Sequence, residues 1–208
     1  SLLIFSGSNI LKSIIIQFKS HMISMHKVSF PGYGPDIEKH KEVILQSIGE
    51  YREALKDCDE KIEKNPDDID AWVNKGTILF LLEEYDKSLE ASSKAIEINP
   101  EDAMAWNNKG TVLNVLERYD EASEACDRAI NLAPGYADPW NNKGNALMHL
   151  ERYDEALAAF NKALEIDPQY ADAWNNKGFA LNFLGRHDEA IKAFDMAIEI
   201  ESGFEEAK

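Results

Sequence analysis

The sequence predicts an all-α fold, a solenoid of stacked antiparallel helix pairs, and three observations carry that prediction. The pentapeptide WNNKG stands at Trp106–Gly110, Trp140–Gly144 and Trp174–Gly178, with WVNKG at Trp72–Gly76, so the four tryptophans are 34 residues apart. Each period holds two apolar stripes at helical spacing, one through Trp106, Gly110, Leu113 and Leu116, the other through Ala122, Cys126, Ala129 and Ile130. Pro66, Pro100, Pro134 and Pro168 then stop the second stripe. One such pair cannot bury its own apolar faces, so neighbouring pairs stack into a continuous core.

In chain order, residues 1–34 lie outside the period. They open SLLIFSGSNILKSIIIQF, apolar but broken by Ser6-Gly7-Ser8-Asn9 and Lys12. A membrane span needs roughly 18–20 clean apolar residues, so a membrane role is disfavoured. A signal peptide carries basic residues ahead of its apolar run, and none stand there. Ile10, Leu11, Ile14, Ile15, Phe18, Met22 and Met25 predict an amphipathic helix, with the β-branched Ile14-Ile15-Ile16 favouring a strand as the rival. Pro31-Gly32-Tyr33-Gly34-Pro35 reads as a linker or sharp turn. Four roles stand open for the segment: a cap on the first repeat, a helix lying in a concave groove of its own chain or a neighbour's, a membrane anchor, or, around Ser20-His21-Met22, a cloning remnant. The chain starts at Ser, so the natural start is expected to lie outside it.

Residues 35–204 are expected to form the repeat domain. Residues 35–68 keep Leu45, Tyr51, Ala54, Cys58 and Pro66 in phase but carry Glu38 and Glu42 in place of Trp and Gly, which predicts a degenerate terminal repeat. Units 69–102, 103–136, 137–170 and 171–204 follow. Their two halves meet at Glu83-Glu84, Glu117-Arg118, Glu151-Arg152 and Gly185-Arg186. An aromatic ring comes next, Tyr85, Tyr119 or Tyr153, with His187 in the fourth unit. Asp86, Asp120, Asp154 and Asp188 are then expected to cap the second helix and meet its dipole. Gly76, Gly110, Gly144 and Gly178 sit inside the first helix, where Gly costs about 1 kcal/mol against Ala. Such repetition predicts a packing reason, a close crossing of the second helix, with Ala95, Ala129, Ala163 and Ala197 as small counterparts and Trp as the large filler. Ser202 stands where Pro is due, and residues 205–208 read as the start of a further helix.

The pattern resembles the tetratricopeptide repeat (TPR), a 34-residue unit with Trp, Leu-Gly, Tyr, Ala, Phe and Pro at set places. Unit 137–170 carries Trp140, Gly144, Leu147, Ala156, Phe160, Ala163 and Pro168. The departures are regular: Lys75, Lys109, Lys143 and Lys177 replace the Leu before Gly, and Leu79, Leu113, Leu147 and Leu181 replace a Tyr. A lysine stem still covers apolar surface. The resemblance implies a right-handed superhelix whose concave face is lined by the first helix of each unit, and a non-catalytic scaffold for protein partners.

Composition narrows those partners. The net charge of −16 opposes nucleic acid and anionic membranes, because phosphate binding needs a basic face. It either steers a basic or neutral protein partner or only keeps the surface soluble. Cys58 and Cys126 are two periods apart, roughly 16 Å or more in a stacked array. A disulfide needs Cα atoms within about 7 Å, so free buried thiols and a cytoplasmic location are expected.

No chemistry is expected: no enzyme, no cofactor, no metal. His21, His26, His40, His149 and His187 pair with nothing at metal-ligand spacing. His187 holds a structural ring position, His149 reads as a solvated side chain, and Asp67-Asp68 read as solvated loop charges. No glycine-rich phosphate loop occurs.

By the TPR resemblance, positions 2, 5, 6, 9, 12 and 13 of each unit face the groove. Unit 69–102 gives Asp70, Val73, Asn74, Thr77, Phe80 and Leu81; unit 103–136 gives Met104, Asn107, Asn108, Thr111, Asn114 and Val115. Unit 137–170 gives Asp138, Asn141, Asn142, Asn145, Met148 and His149; unit 171–204 gives Asp172, Asn175, Asn176, Phe179, Asn182 and Phe183. Asn74, Asn108, Asn142 and Asn176 form one row. An amide both donates and accepts, so the row either grips the backbone of an extended peptide, as in the similar asparagine ladder of O-GlcNAc transferase, or ties neighbouring helices together. The expected peptide-binding set is this row with Asn107, Asn141, Asn145, Asn175, Phe179, Asn182 and Phe183. The basic clamp with which chaperone-binding TPR domains grip an acidic tail is missing, so an apolar or basic peptide or helix is expected, the chain's own N-terminal segment among the candidates. The alternative is self-assembly through that segment or through the last repeat's free face.

Overall fold

A computed structural model describes the backbone of residues 34–206 and the side chains of 45–203. The readings of residues 1–33, as helix, strand, cap, groove ligand or anchor, lie outside the described residues. The chain divides into two compact units, residues 1–53 and 54–208.

Helix α1, Gly34–Lys64, runs without a break. A helix pair is expected over 35–68; instead one helix of 31 residues spans this stretch, and Pro35, expected in a linker, lies in its first turn. Eight helices follow: α2 (Ile69–Leu81), α3 (Tyr85–Ile98), α4 (Ala103–Val115), α5 (Tyr119–Leu132), α6 (Ala137–His149), α7 (Tyr153–Ile166), α8 (Ala171–Phe183) and α9 (His187–Glu206). They pair as α2/α3, α4/α5, α6/α7 and α8/α9, and each second helix also packs on the next pair's first. No described element is a strand.

The repeating residues account for the pairing. The turn between partners puts Glu83, Glu117 and Glu151 at φ near +60° (62°, 60° and 59°), and Gly185 takes the same place at 74°. The amides of this residue and of the next donate back into the first helix, Glu117 N to Asn114 O at 3.2 Å and Arg118 N to Leu113 O at 2.9 Å for instance, and this reverses the chain. The helical glycines make the crossing close. A Cβ added to Gly144 would lie 2.4 Å from Phe160 Cε1, and one on Gly178 2.5 Å from Phe194 Cε1. Gly110 faces Cys126 Sγ at 2.6 Å and Gly76 faces Ser92 Oγ at 3.0 Å. The counterpart of each glycine is thus Ser92, Cys126, Phe160 or Phe194, one turn before the alanines expected there.

Capping also differs from expectation. The N-cap residues of α3, α5 and α7 are Glu84, Arg118 and Arg152, which make no side-chain cap bond. Asp86, Asp120 and Asp154 fall one residue inside the helix, where they serve the dipole only. The capping acids are Asp68, which accepts from Ala71 N at 2.9 Å, and Asp102, which accepts from Ala105 N at 2.7 Å. Asp68 is therefore a helix cap, not a solvated loop charge.

Each Trp is half-buried, and its indole N–H donates to the proline carbonyl six residues earlier, Trp72 to Pro66 O and Trp106 to Pro100 O both at 2.8 Å. One side chain thereby pins the loop between repeats. Lys75, Lys109 and Lys177 lie over their own Trp rings at 5.1, 5.4 and 4.7 Å, as the covering role requires. Lys75 also reaches Asp59, and Lys143 reaches Asp127, both at 2.6 Å on the preceding helix. Helix α9 runs to Glu206 because Ser202 replaces the proline that stops α3, α5 and α7. Cys58 and Cys126 are free and buried.

Candidate functional site

The first helices α2, α4, α6 and α8 pack side by side, each touching the next. Most of the asparagine row on this sheet of helices is spent between repeats. Asn108 Nδ2 donates to Thr77 Oγ1 at 2.9 Å and to Val73 O at 3.4 Å. Asn142 Nδ2 donates to Thr111 Oγ1 and to Asn107 Oδ1, both at 2.9 Å, and Asn176 Nδ2 to Asn141 Oδ1 at 3.0 Å. Asn107 and Asn141 are buried and donate in turn to the hydroxyls of Tyr136 (3.1 Å) and Tyr170 (3.4 Å). A relay of amide, amide and phenol therefore crosses each of these interfaces. Burial, with Asp138 alongside, pushes both phenols well above the ordinary tyrosine range.

The two tyrosines are functional neighbours that sequence reasoning missed, though a signal was present. Tyr136 and Tyr170 follow the units whose fifth position is Asn, whereas Asp102 follows the unit with Val73. In units 103–136 and 137–170 each satisfies the other's buried polar group, whereas unit 171–204 keeps Asn175 but ends in Phe204, and Asn175 is exposed.

Asn114 donates to Asn142 O at 2.8 Å, and its Oδ1 is buried without a protein partner among the described residues. Asn74 and Asn175 are exposed, and Asn182 Oδ1 lies 3.0 Å from His187 Nδ1. The three remaining expected residues, Asn145, Phe179 and Phe183, converge with Asn176, Met148 and His149 to line a cavity of about 250 Å³ between α6 and α8. Pockets for drug-sized ligands run roughly 300–1,000 Å³, so this one is matched to a single large side chain. Phe179 is 48% exposed and Phe183 60%. Tyr153 stacks on Phe183 at 4.8 Å and Tyr119 on His149 at 4.4 Å, which holds both rings upright at the cavity rim. His149 stacks on Tyr119 and still stays exposed, in keeping with the solvated side chain expected.

The groove also has a sign. Asp70, Asp138 and Asp172 hold the second positions expected to face it, and none of the positions expected to point inward carries Lys or Arg. Among the described residues no group of three His, Cys, Asp or Glu is placed to hold a metal ion, and no helix is long and apolar enough to cross a membrane.

The family model described as Tetratricopeptide repeat matches residues 69–102, 103–136, 137–170 and 171–204, more than half of the chain and in the register read from the tryptophans. The chain belongs to the tetratricopeptide repeat family. A second model, Protein prenyltransferase alpha subunit repeat, matches residues 51–82, the end of α1 with α2. No curated protein matches in sequence. Among solved structures, a crystal structure of MamA is similar at 23% identity, covering 77% of this chain and 94% of that one, with a TM-score of 0.66. MamA 41-end from Desulfovibrio magneticus RS-1 is similar at 22% identity over 83% and 98%, with a TM-score of 0.65. YrrB, described as a TPR protein with an unusual peptide-binding site, is similar at 27% identity over 82% and 93%, with a TM-score of 0.59. These likenesses agree with the all-α solenoid, and the TPR family makes the chain a repeat scaffold of the protein-interaction class.

Proposed function

We propose that this TPR scaffold grips a peptide or helix of a partner protein in its groove, with one large apolar side chain of the partner seated between Phe179 and Phe183. The observation that carries the reading is the open cavity itself, walled by two exposed phenylalanines and bordered by stacked rings. Exposed apolar patches rimmed by polar groups are the usual mark of such contacts. The three groove aspartates, the missing cations and the net charge of −16 select a partner with Lys or Arg flanking its anchor. YrrB is described as carrying a peptide-binding site, which supports the same use of the fold here.

The asparagine row keeps a narrower part in binding. Its amide N–H groups hold repeats together, while the Oδ1 of Asn142 and Asn176 takes no hydrogen bond among the described residues. Those carbonyls accept N–H groups from a bound backbone. Asn107 and Asn141 act as supports behind them.

A twelve-residue random peptide display library panned on the full chain tests this. Enriched peptides carry one aromatic or large aliphatic residue beside Lys or Arg, and lose affinity for Phe179→Ala/Phe183→Ala by about tenfold or more. Acidic consensus sequences, or equal binding to the double variant, would overturn the reading.

A further inference from the structure

We propose that the partner side chain seated in the cavity is a tyrosine, selected by the carboxamide of Asn145; this rests on the groove reading above and narrows it. Asn145 departs from its equivalents. The ninth residue of the four units is Thr77, Thr111, Asn145 and Phe179 in turn. Thr77 Oγ1 accepts from Asn108 Nδ2, and Thr111 Oγ1 from Asn142 Nδ2, both at 2.9 Å across the interface to the next unit. Each threonine hydroxyl also donates into its own helix, to Val73 O at 3.2 Å and to Asn107 O at 2.9 Å. Both threonines are therefore fully engaged inside the array. Between α6 and α8 the pattern breaks. Asn176 Nδ2 donates to Asn141 Oδ1 at 3.0 Å and leaves Asn145 aside. Asn145 is half-buried, lines the cavity, and makes no hydrogen bond among the described residues.

Two polar groups thus belong to the cavity with no partner among the described residues, the whole carboxamide of Asn145 and the Oδ1 of Asn176. The other walls are apolar, from Met148, Phe179 and Phe183. The fitting occupant has an apolar body and a polar tip that both donates and accepts. Tyrosine has that form: its ring lies against the phenylalanines, while its hydroxyl accepts from Asn145 Nδ2 and donates to an amide oxygen. Phenylalanine or leucine shuts the same amides off from water with nothing to bond. Tryptophan only donates, which leaves Asn145 Nδ2 without an acceptor. The chain makes the same pairing in its own core, where Asn107 and Asn141 donate to the Tyr136 and Tyr170 hydroxyls at 3.1 and 3.4 Å. Phosphotyrosine is refused, because none of the positions expected to face the groove carries Lys or Arg.

The probes are the peptides enriched on the full chain from the twelve-residue library, fluorescein-labelled and titrated by anisotropy. The enriched anchor should be tyrosine. Replacing it by phenylalanine should weaken binding to the parent about tenfold. Phosphorylating it should abolish binding. Asn145→Leu should bind the tyrosine and phenylalanine peptides alike, and so should Asn145→Thr, which restores the residue of the earlier units. Asn145 makes no hydrogen bond within the fold, so the urea midpoint of Asn145→Leu should match the parent. An enriched anchor of leucine, or tyrosine and phenylalanine peptides within about twofold on the parent, would overturn the tyrosine and leave the groove reading standing if Phe179→Ala/Phe183→Ala still weakens them. A tyrosine preference that survives in both Asn145 variants would overturn the part given to Asn145. Peptides indifferent to the phenylalanine pair, or no enrichment at all, would overturn the groove reading and this inference together.

Discussion

Gly144→Ala and Gly76→Ala make the same change at equivalent places, yet they should differ in sign. Alanine gains about 1 kcal/mol over glycine inside a helix. At Gly144 the new Cβ would sit 2.4 Å from Cε1 of Phe160, a ring with no exposed surface. Overpacking of that kind costs about 1–3 kcal/mol, so the net effect is destabilisation by up to about 2 kcal/mol. At Gly76 the nearest atom is Ser92 Oγ at 3.0 Å, a buried hydroxyl that donates to Ser88 O at 2.9 Å and has to give by only a few tenths of an ångström, keeping that bond. There the helix gain prevails, and the variant is neutral or up to about 1 kcal/mol more stable. Repeat arrays are not strictly two-state, so urea midpoints compared under one condition are the safest readout. With slopes of about 1–3 kcal/mol/M, the two variants should melt roughly 1 M apart, Gly144→Ala lower. Trimming the ring with Phe160→Leu should reduce the cost of Gly144→Ala, a coupling a double-mutant cycle reads directly. Equal midpoints, or Gly144→Ala the more stable, would refute the close-crossing account of the glycines.

Three further outcomes follow from the same geometry. Glu117→Gly removes a non-glycine residue from φ 60°, where left-handed backbone costs about 1–2 kcal/mol; after glycine's extra chain entropy the melting temperature should still rise, and a fall would contradict the turn assignment. Asn107→Ala takes from Asn142 Nδ2 one of its two acceptors and from the Tyr136 hydroxyl its amide donor, so thermal or urea unfolding should show a loss of about 1–3 kcal/mol, whereas Asn74→Ala, at an exposed site, should change little. Burial pushes the Cys126 thiol up to about 12, above an unfolded value of about 8.5. Its contribution is complete below about pH 8.5 and is lost as pH rises toward the folded value, because only the unfolded chain ionises in that window. Stability of the parent should therefore drop more steeply between pH 8.5 and 10.5 than that of Cys126→Ala, and native Cys126 should resist iodoacetamide at pH 8 until the chain unfolds.

Periodic features were legible in the sequence because each repeat solves its own local problem. Gly with its facing residue and the polar turn lie within one 34-residue unit, and Trp stands only six residues after its proline, so composition and spacing reveal them. Features that cross units were not. The asparagine row reads equally as ligand and as tie until Thr77, Thr111, Asn107 and Asn141 are seen as its partners, and they lie 31 or 35 residues away. With both amides bonded across interfaces, substituting Asn108 and Asn142 together should cost stability. Helix α1 is instructive in another way. Gly49 stands 34 residues before Glu83, at the phase of the left-handed turn, but the helix passes through it. The turn signal alone does not reverse a chain. With Glu38 and Glu42 in place of Trp and Gly, the sequence offers no apolar seam to hold a first half against a second. The cavity was half legible: its phenylalanines could be placed in the groove by phase, but the stacked Tyr119 and Tyr153 that brace its rim come from the second helices.

The account stands or falls on what the groove holds. The most direct measurement is the Kd of a display-selected peptide for the full chain and for Phe179→Ala/Phe183→Ala, each at low and high salt. The account predicts a weakening of about tenfold or more in the double variant, unchanged helicity, and weaker binding to the parent as salt screens the groove aspartates. A Kd indifferent to both phenylalanines, or binding that tightens with salt, would contradict it.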